Sequence, residues 1–84
     1  MSWRLIVKKS FIRDLKGLDP NVRNRIIETI DEIVRNPYAG KKLDNFYSWR
    51  IGDYRIIYTI DKERRAVVLL WVGHRRSIYR RLRY

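Results

Sequence analysis

The chain has 84 residues, no cysteine, and 20 lysines and arginines against nine acidic residues, which gives a formal net charge of +11 at pH 7. This length predicts one domain over residues 1–84, and the lack of cysteine excludes disulfide scaffolds and thiolate metal sites. No apolar run is long enough for a signal peptide or a membrane span. We therefore expect a cytoplasmic protein without a membrane partner, and we expect no cofactor.

Hydrophobic periodicity predicts a strand over residues 2–8, followed by two helices. Ser10 is a typical N-cap residue for the first helix. The DP dipeptide at 19–20 is a helix start signal, with aspartate as N-cap and proline in the first turn. An apolar stripe at helical spacing over residues 22–34 then ends before the NP dipeptide at 36–37.

The second half of the chain reads as strands. FYSWRI at 46–51 and YRIIYTI at 54–60 flank a GD dipeptide, which predicts a hairpin with a glycine-first, two-residue turn. AVVLLWV at 66–72 is typical of a strand buried on both faces. The order β-α-α-β-β-β predicts an α+β fold, with a two-helix hairpin on one face of a mostly antiparallel sheet. A short basic C-terminal helix or tail follows, with Ser77 as its candidate N-cap.

The predicted hairpin places Arg50 opposite Arg55 on the sheet face that points away from the helices. Like charges in such a cross-strand pair destabilise a sheet, so the pair indicates a bound anion, and guanidinium groups suit phosphate oxygens. Two alternatives remain open. Both side chains extend into water, or a carboxylate of Asp44 or Asp53 neutralises them.

The C-terminal segment, residues 64–84, carries seven arginines and no acidic residue. Such a concentration of charge attracts polyanions. Nucleic acid is the first candidate partner and an acidic protein segment is the second. A solvated basic tail is the alternative.

Three stretches together resemble the RelE branch of the RelE/ParE toxin superfamily: KL at 42–43, WRIGDYRIIY at 49–58 and VGHRRSIYRR at 72–81. The resemblance implies the toxin of a type II toxin–antitoxin system, a ribosome-dependent endoribonuclease that cuts mRNA without a metal and so inhibits translation. It also implies a RelB-like antitoxin that wraps the toxin in a hetero-oligomer. The alternatives are a gyrase inhibitor like the ParE branch, which cleaves nothing, and an inactive family member.

The resemblance places the functional arginines of the family on Arg55 and Arg75 and its C-terminal tyrosine on Tyr79. The lysines that relatives carry on the second strand have no counterpart in FYSW at 46–49, so the general base is left open. His74 is a candidate, because imidazole titrates near neutral pH. A histidine bonded to backbone at a strand end is the alternative reading.

Metal-free RNA cleavage uses the ribose 2′-hydroxyl as nucleophile and needs positive charge around the phosphorane. Guanidinium groups supply that charge, and we expect those of Arg55 and Arg75 to converge on one pocket. Tyr79 is expected to donate a proton or stack on a base, or else only to anchor the tail. An acidic antitoxin segment is the alternative partner for the arginines near the C-terminus. The remaining basic residues predicted to bind nucleic acid are Arg50, Lys41, Lys42, Arg76, Arg80, Arg81 and Arg83.

Overall fold

The computed structural model describes residues 2–82, which form a five-stranded sheet and three α-helices. In chain order the elements are β1 (Arg4–Val7), α1 (Lys9–Lys16), α2 (Pro20–Arg35), a short 3₁₀ helix (Pro37–Ala39), β2 (Lys41–Leu43), β3 (Phe46–Ile51), β4 (Tyr54–Asp61), β5 (Ala66–His74) and α3 (Arg75–Leu82). The sheet order is β1-β5-β4-β3-β2, and only the β1–β5 pair is parallel in the described part of the chain. The predicted α+β class is confirmed.

The second helix begins and ends where the sequence predicts. The side chain of Asp19 accepts a hydrogen bond from the backbone N–H of Asn21 at 3.1 Å, and Pro20 is the first helical residue. The helix stops at Arg35, because Asn36 leaves the helical conformation ahead of a proline.

The prediction that Ser10 caps the first helix is wrong. Helix α1 begins at Lys9, with Lys8 in the N-cap position and no side-chain cap. The hydroxyl of Ser10 instead donates to the carbonyl oxygen of Leu70 on β5 at 2.6 Å. The hydroxyl therefore bonds to a residue that is distant in sequence, and no local sequence pattern reveals such a partner.

Two further elements differ from prediction. Strand β2 was not predicted, because it is three residues long and two of them are lysines. Helix α3 is the helical form of the predicted C-terminal segment, but it begins at Arg75 and not after Ser77. No helix within residues 2–82 combines the length and the apolarity that crossing a bilayer requires.

The two faces of the sheet are covered by different helices. Helices α1 and α2 bury one face, and the core there comprises Phe11, Ile26, Ile33, Ile51, Ile56, Tyr58, Val67, Leu69 and Val72. On the other face Ile78 of α3 is fully buried, and a Cβ built on Gly73 of β5 would lie 3.5 Å from its side chain. Helix α3 therefore folds back over the face that carries Arg55.

Candidate functional site

The hairpin of β3 and β4 has the register that the sequence predicts. Arg50 pairs with Arg55, and Ile51 pairs with Tyr54 on either side of the turn. Gly52 has a φ of +57°, a conformation that glycine adopts without strain. The two arginines therefore lie side by side on the face away from α1 and α2.

Neither alternative proposed for this pair describes Arg55. Its side chain does not extend into water, because Arg55 is only 8% exposed. Arg55 takes no part in the ion pairs Arg64–Asp61 and Arg81–Asp14. Arg50 is exposed. Within residues 2–82, the hydrogen bonds of the buried Arg55 guanidinium go to neutral acceptors.

Neutral acceptors hold the Arg55 guanidinium in place. Its Nη1 donates to the carbonyl oxygens of Gly52 and Tyr54, both at 2.9 Å, and its Nε donates to the hydroxyl of Tyr79 at 3.2 Å. Nη2 donates no hydrogen bond to any of the described residues. Among these residues, every side-chain nitrogen or oxygen atom that is buried has a hydrogen-bond partner. Nη2 must therefore be accessible, and Arg55 meets open space at the cleft that it lines.

That cleft has a volume of about 340 Å³ and lies between the β2–β3 edge and α3. Its lining comprises Ala39, Gly40, Lys41, Ser48, Trp49, Arg50, Arg55 and Tyr79. Three of these described residues are cationic and none is acidic. The cleft therefore favours an anionic group, and the ring of Tyr79 suits a ligand with a flat ring.

One wall of the cleft is fixed by a close approach of Gly40 to Tyr58. A Cβ built on Gly40 would overlap the hydroxyl of Tyr58 and lie 3.2 Å from the carbonyl oxygen of Ser48. The hydroxyl of Tyr58 donates to the carbonyl oxygen of Pro37 at 2.7 Å. Burial raises the pKa of Tyr58 to about 12, although the backbone hydrogen bond from Gly40 acts in the opposite direction. The phenol therefore stays protonated and ties the 3₁₀ helix to the sheet.

The structure does not bring Arg75 and His74 into this cleft. Arg75 is exposed, and its backbone N–H donates to the carbonyl oxygen of Asp53 at 2.7 Å. His74 pairs with Tyr54 across the β4–β5 ladder, so it lies on the face opposite Arg55. Its Nδ1 accepts from the backbone N–H of Arg76 at 3.3 Å. The expected convergence of Arg55 and Arg75 is not observed, because only Arg55 lines the cleft.

The other predicted basic residues are dispersed. Lys41 lines the cleft, whereas Lys42 points to the other face and lines a separate depression of about 190 Å³. Arg76 and Arg80 are exposed on α3. Arg81 pairs with Asp14, with 2.9 Å between Nη1 and Oδ2. Arg83 lies outside the described residues.

Sequence reasoning missed part of the cleft. Ser48 shares a strand face with Arg50 because side chains alternate along a strand, so its position could have been read from the sequence. Ala39 and Gly40 gave no such signal, because the short strand after them was not predicted.

Within residues 2–82, no three histidine, aspartate or glutamate side chains cluster in a way that could hold a metal ion.

Comparison with known proteins assigns the chain to a family. Residues 5–79 match the family model described as the ParE toxin of the type II toxin–antitoxin system parDE. Among curated proteins, the chain is 40% identical to toxin RelG of Mycobacterium tuberculosis, over 82% of this chain and 86% of that protein. It is 32% identical to toxin RelE3 of Methanocaldococcus jannaschii, over 90% of this chain and 94% of that protein.

Solved structures show the same relationship. A chain of the RelBE2 toxin–antitoxin complex of Mycobacterium tuberculosis superposes with a TM-score of 0.81 at 31% identity, covering 88% of this chain and 99% of that one. A chain of the RelB–RelE antitoxin–toxin complex of Methanococcus jannaschii gives a TM-score of 0.67 at 30% identity, covering 90% and 96%. The chain therefore belongs to the RelE/ParE superfamily of type II toxin–antitoxin systems and is a toxin of the RelE family.

Proposed function

We propose that this toxin is a ribosome-dependent endoribonuclease that cleaves mRNA by attack of a ribose 2′-hydroxyl on the adjacent phosphate, without a metal ion. The observation that carries the proposal is the state of Arg55. Its guanidinium is buried, is held by three neutral acceptors, and lines a cationic cleft. A phosphodiester is the anion that the family resemblance indicates for this position.

The proposed role of Arg55 is to stabilise the phosphorane that forms during cleavage. Donors that are already fixed in place need no reorganisation when charge develops on the phosphate oxygens. Burial lowers the local dielectric constant and strengthens the attraction between Nη2 and that charge. Arg50 and Lys41, at the same cleft, are proposed to hold the flanking phosphates.

Tyr79 is the residue in the cleft best suited to transfer a proton. Its hydroxyl oxygen accepts from Arg55, which leaves its own proton free to be donated. We propose that it protonates the 5′-oxygen that leaves as the bond from the 2′-oxygen to phosphorus forms, and that the proton of the 2′-hydroxyl passes to solvent water. The ring of Tyr79 would lie against a neighbouring base.

Arg75 and His74 receive proposed roles that fit their positions. Arg75 is exposed beside the hairpin turn, so we propose that it binds an RNA phosphate next to the one that is cleaved. His74 lies on the opposite face, so we propose that it acts on cleavage indirectly, by holding the start of α3. Its Nδ1 accepts a hydrogen bond from the backbone N–H of Arg76 in that helix. Positioning of the RNA by the ribosome would supply much of the remaining rate enhancement.

The proposed partner, besides mRNA and the ribosome, is a RelB-like antitoxin. The related solved structures are toxin–antitoxin complexes. The net charge of +11 makes the toxin attractive both to ribosomal RNA and to an acidic antitoxin segment. We therefore propose a hetero-oligomer in which the antitoxin withholds the toxin from the ribosome.

The experiment adds purified toxin to a reconstituted translation reaction and maps mRNA ends by primer extension. Arg55→Ala should lower the cleavage rate by about 10²–10³-fold. Arg64→Ala is the matched control, because Arg64 is exposed and its ion pair with Asp61 is remote from the cleft residues. Intact mRNA together with arrest of DNA gyrase would instead support the ParE-like alternative, which the name of the matching family model favours.

A further inference from the structure

Helix α3 carries Tyr79 into the cleft, so whatever fixes this helix also fixes the tyrosine. The helix has eight residues, too few for stability in isolation. Its charged residues are Arg75, Arg76, Arg80 and Arg81, which repel one another. Burial of Ile78 attaches the middle of the helix to the sheet. Its last turn has a second attachment, through Arg81.

Asp14 of α1 provides that attachment. Its Oδ2 accepts a hydrogen bond from Nη1 of Arg81 at 2.9 Å, and its Oδ1 accepts from Nη2 at 3.4 Å. The pair is bidentate, the geometry in which arginine and carboxylate combine strength with orientation. The Asp14 side chain is only 16% exposed, against 43% for Arg81, so the carboxylate is the fixed partner.

The carboxylate of Asp14 is itself held by the sheet. Strand β1 pairs with β5 only as far as Leu69, so the edge of β5 beyond that residue is open to other acceptors. Asp14 fills this gap, since its Oδ2 accepts from the backbone N–H of Val72 at 3.1 Å. One carboxylate thus joins α1, the open edge of β5 and the end of α3.

We propose that Asp14 is a positioning residue for the cleft. Through Arg81 it holds α3 against the sheet, and α3 in turn holds the hydroxyl of Tyr79 on Nε of Arg55. The consequence for RNA cleavage rests on the proposed function. The consequence for the geometry of Arg55 and Tyr79 does not, because it concerns the free protein.

From the sequence alone, Arg81 was predicted to have a different role, which is general attraction to RNA or to an acidic antitoxin segment. The two roles predict opposite effects of Asp14→Asn. The substitution removes one negative charge, which raises the net charge by one, and releases Arg81. Attraction alone would therefore make RNA association equal or faster. Positioning predicts slower cleavage, because Tyr79 is no longer held. Asparagine retains an oxygen that can accept from Val72, which keeps the edge of β5 satisfied.

The test in the free protein follows the Nε–H of Arg55 by NMR and measures its exchange with solvent. Asp14→Asn and Arg81→Ala should each accelerate this exchange by about tenfold or more, because α3 opens more often. Arg81→Lys should restore part of the protection. Asp61→Asn is the matched control, since it breaks an exposed aspartate–arginine pair on the β4–β5 turn, and it should leave the exchange unchanged.

The second arm measures cleavage on ribosomes. Asp14→Asn should lower kcat by about tenfold with little change in KM, because misplacement of a reacting group affects the chemical step. If wild-type toxin cleaves no RNA while exchange at Arg55 responds as described, the proposed function fails and the positioning role stands. If Asp14→Asn prevents folding, Arg81→Ala carries the test, since it leaves the Asp14–Val72 bond intact. Unchanged Arg55 exchange in a folded Arg81→Ala variant would overturn the proposal.

Discussion

The hydroxyl of Tyr79 accepts a hydrogen bond from Nε of Arg55 at 3.2 Å, across 24 residues of sequence. The Arg55 guanidinium carbon also lies 6.0 Å from the centre of the Tyr79 ring. Because Nη1 of the same arginine binds the carbonyl oxygens of Gly52 and Tyr54, the hairpin turn and α3 meet at one guanidinium group. The shape of the cleft therefore depends on α3 as much as on the sheet.

This arrangement predicts that lysine cannot replace Arg55. Lysine keeps the positive charge, but it is a point donor and cannot reach all three acceptors while also facing the cleft. Arg55→Lys should lower the cleavage rate by about 10²-fold, approaching the loss in Arg55→Ala. The measurement is single-turnover cleavage on programmed ribosomes. Near-wild-type cleavage by Arg55→Lys would mean that charge alone suffices and that the fixed geometry is irrelevant.

Two substitutions at Tyr79 separate proton donation from ring stacking. Tyr79→Phe keeps the ring and removes the hydroxyl, so it should slow cleavage by about 10²-fold if the hydroxyl acts as general acid. Tyr79→Ala also removes the ring and should weaken RNA binding by a further 1–3 kcal/mol or so, the typical contribution of base stacking. Cleavage rates and RNA affinities of both variants check this. Wild-type cleavage by Tyr79→Phe would leave stacking as the function of this residue.

The buried phenol of Tyr58 predicts a pH dependence of stability. Burial raises its pKa from 10.0 to about 12, so above pH 10 the unfolded chain loses a proton that the folded protein keeps. The free energy of unfolding should therefore fall as the pH rises from 10 to 12. In Tyr58→Phe the slope of the unfolding free energy against pH should be smaller, by the equivalent of up to one proton released on unfolding. Denaturant titration at several pH values measures this slope. Equal slopes for the two proteins would contradict the assignment.

The contact between Gly40 and Tyr58 predicts a steric penalty. Gly40→Ala places a methyl group on the Tyr58 hydroxyl and should destabilise the protein by about 1–3 kcal/mol. Tyr58→Phe removes the oxygen, so the double variant should lose less than the two single losses combined. Gly17→Ala is the control, because its nearest neighbour would be 3.5 Å away. Additive losses in the double variant would show that the penalty arises elsewhere.

Local patterns in the sequence predicted the hairpin and α2. The GD turn and the alternation around it set the pairing of Arg50 with Arg55, and the proline dipeptides delimited the long helix. A register or a helix end depends on a few adjacent residues, so such features can be read directly. The face that carries the arginine pair followed from the same pattern.

Features set by tertiary contacts were not predictable in this way. Ser10 was assigned to a cap because its acceptor, Leu70, is distant in sequence. Arg75 was expected in the cleft, but α3 begins at that residue and turns its side chain into solvent. The pairing of Arg81 with Asp14 spans 67 residues and left no sequence signal.

The most direct test of the account is a single ribose substitution in the message. Toxin is added to ribosomes programmed with an mRNA that it cleaves, and with the same mRNA carrying a 2′-deoxyribose at the nucleotide before the cut. We expect the all-ribose message to yield a 2′,3′-cyclic phosphate end and the substituted message to stay intact at that position. Cleavage of the substituted message at the same bond and rate would show that the 2′-hydroxyl is not the nucleophile.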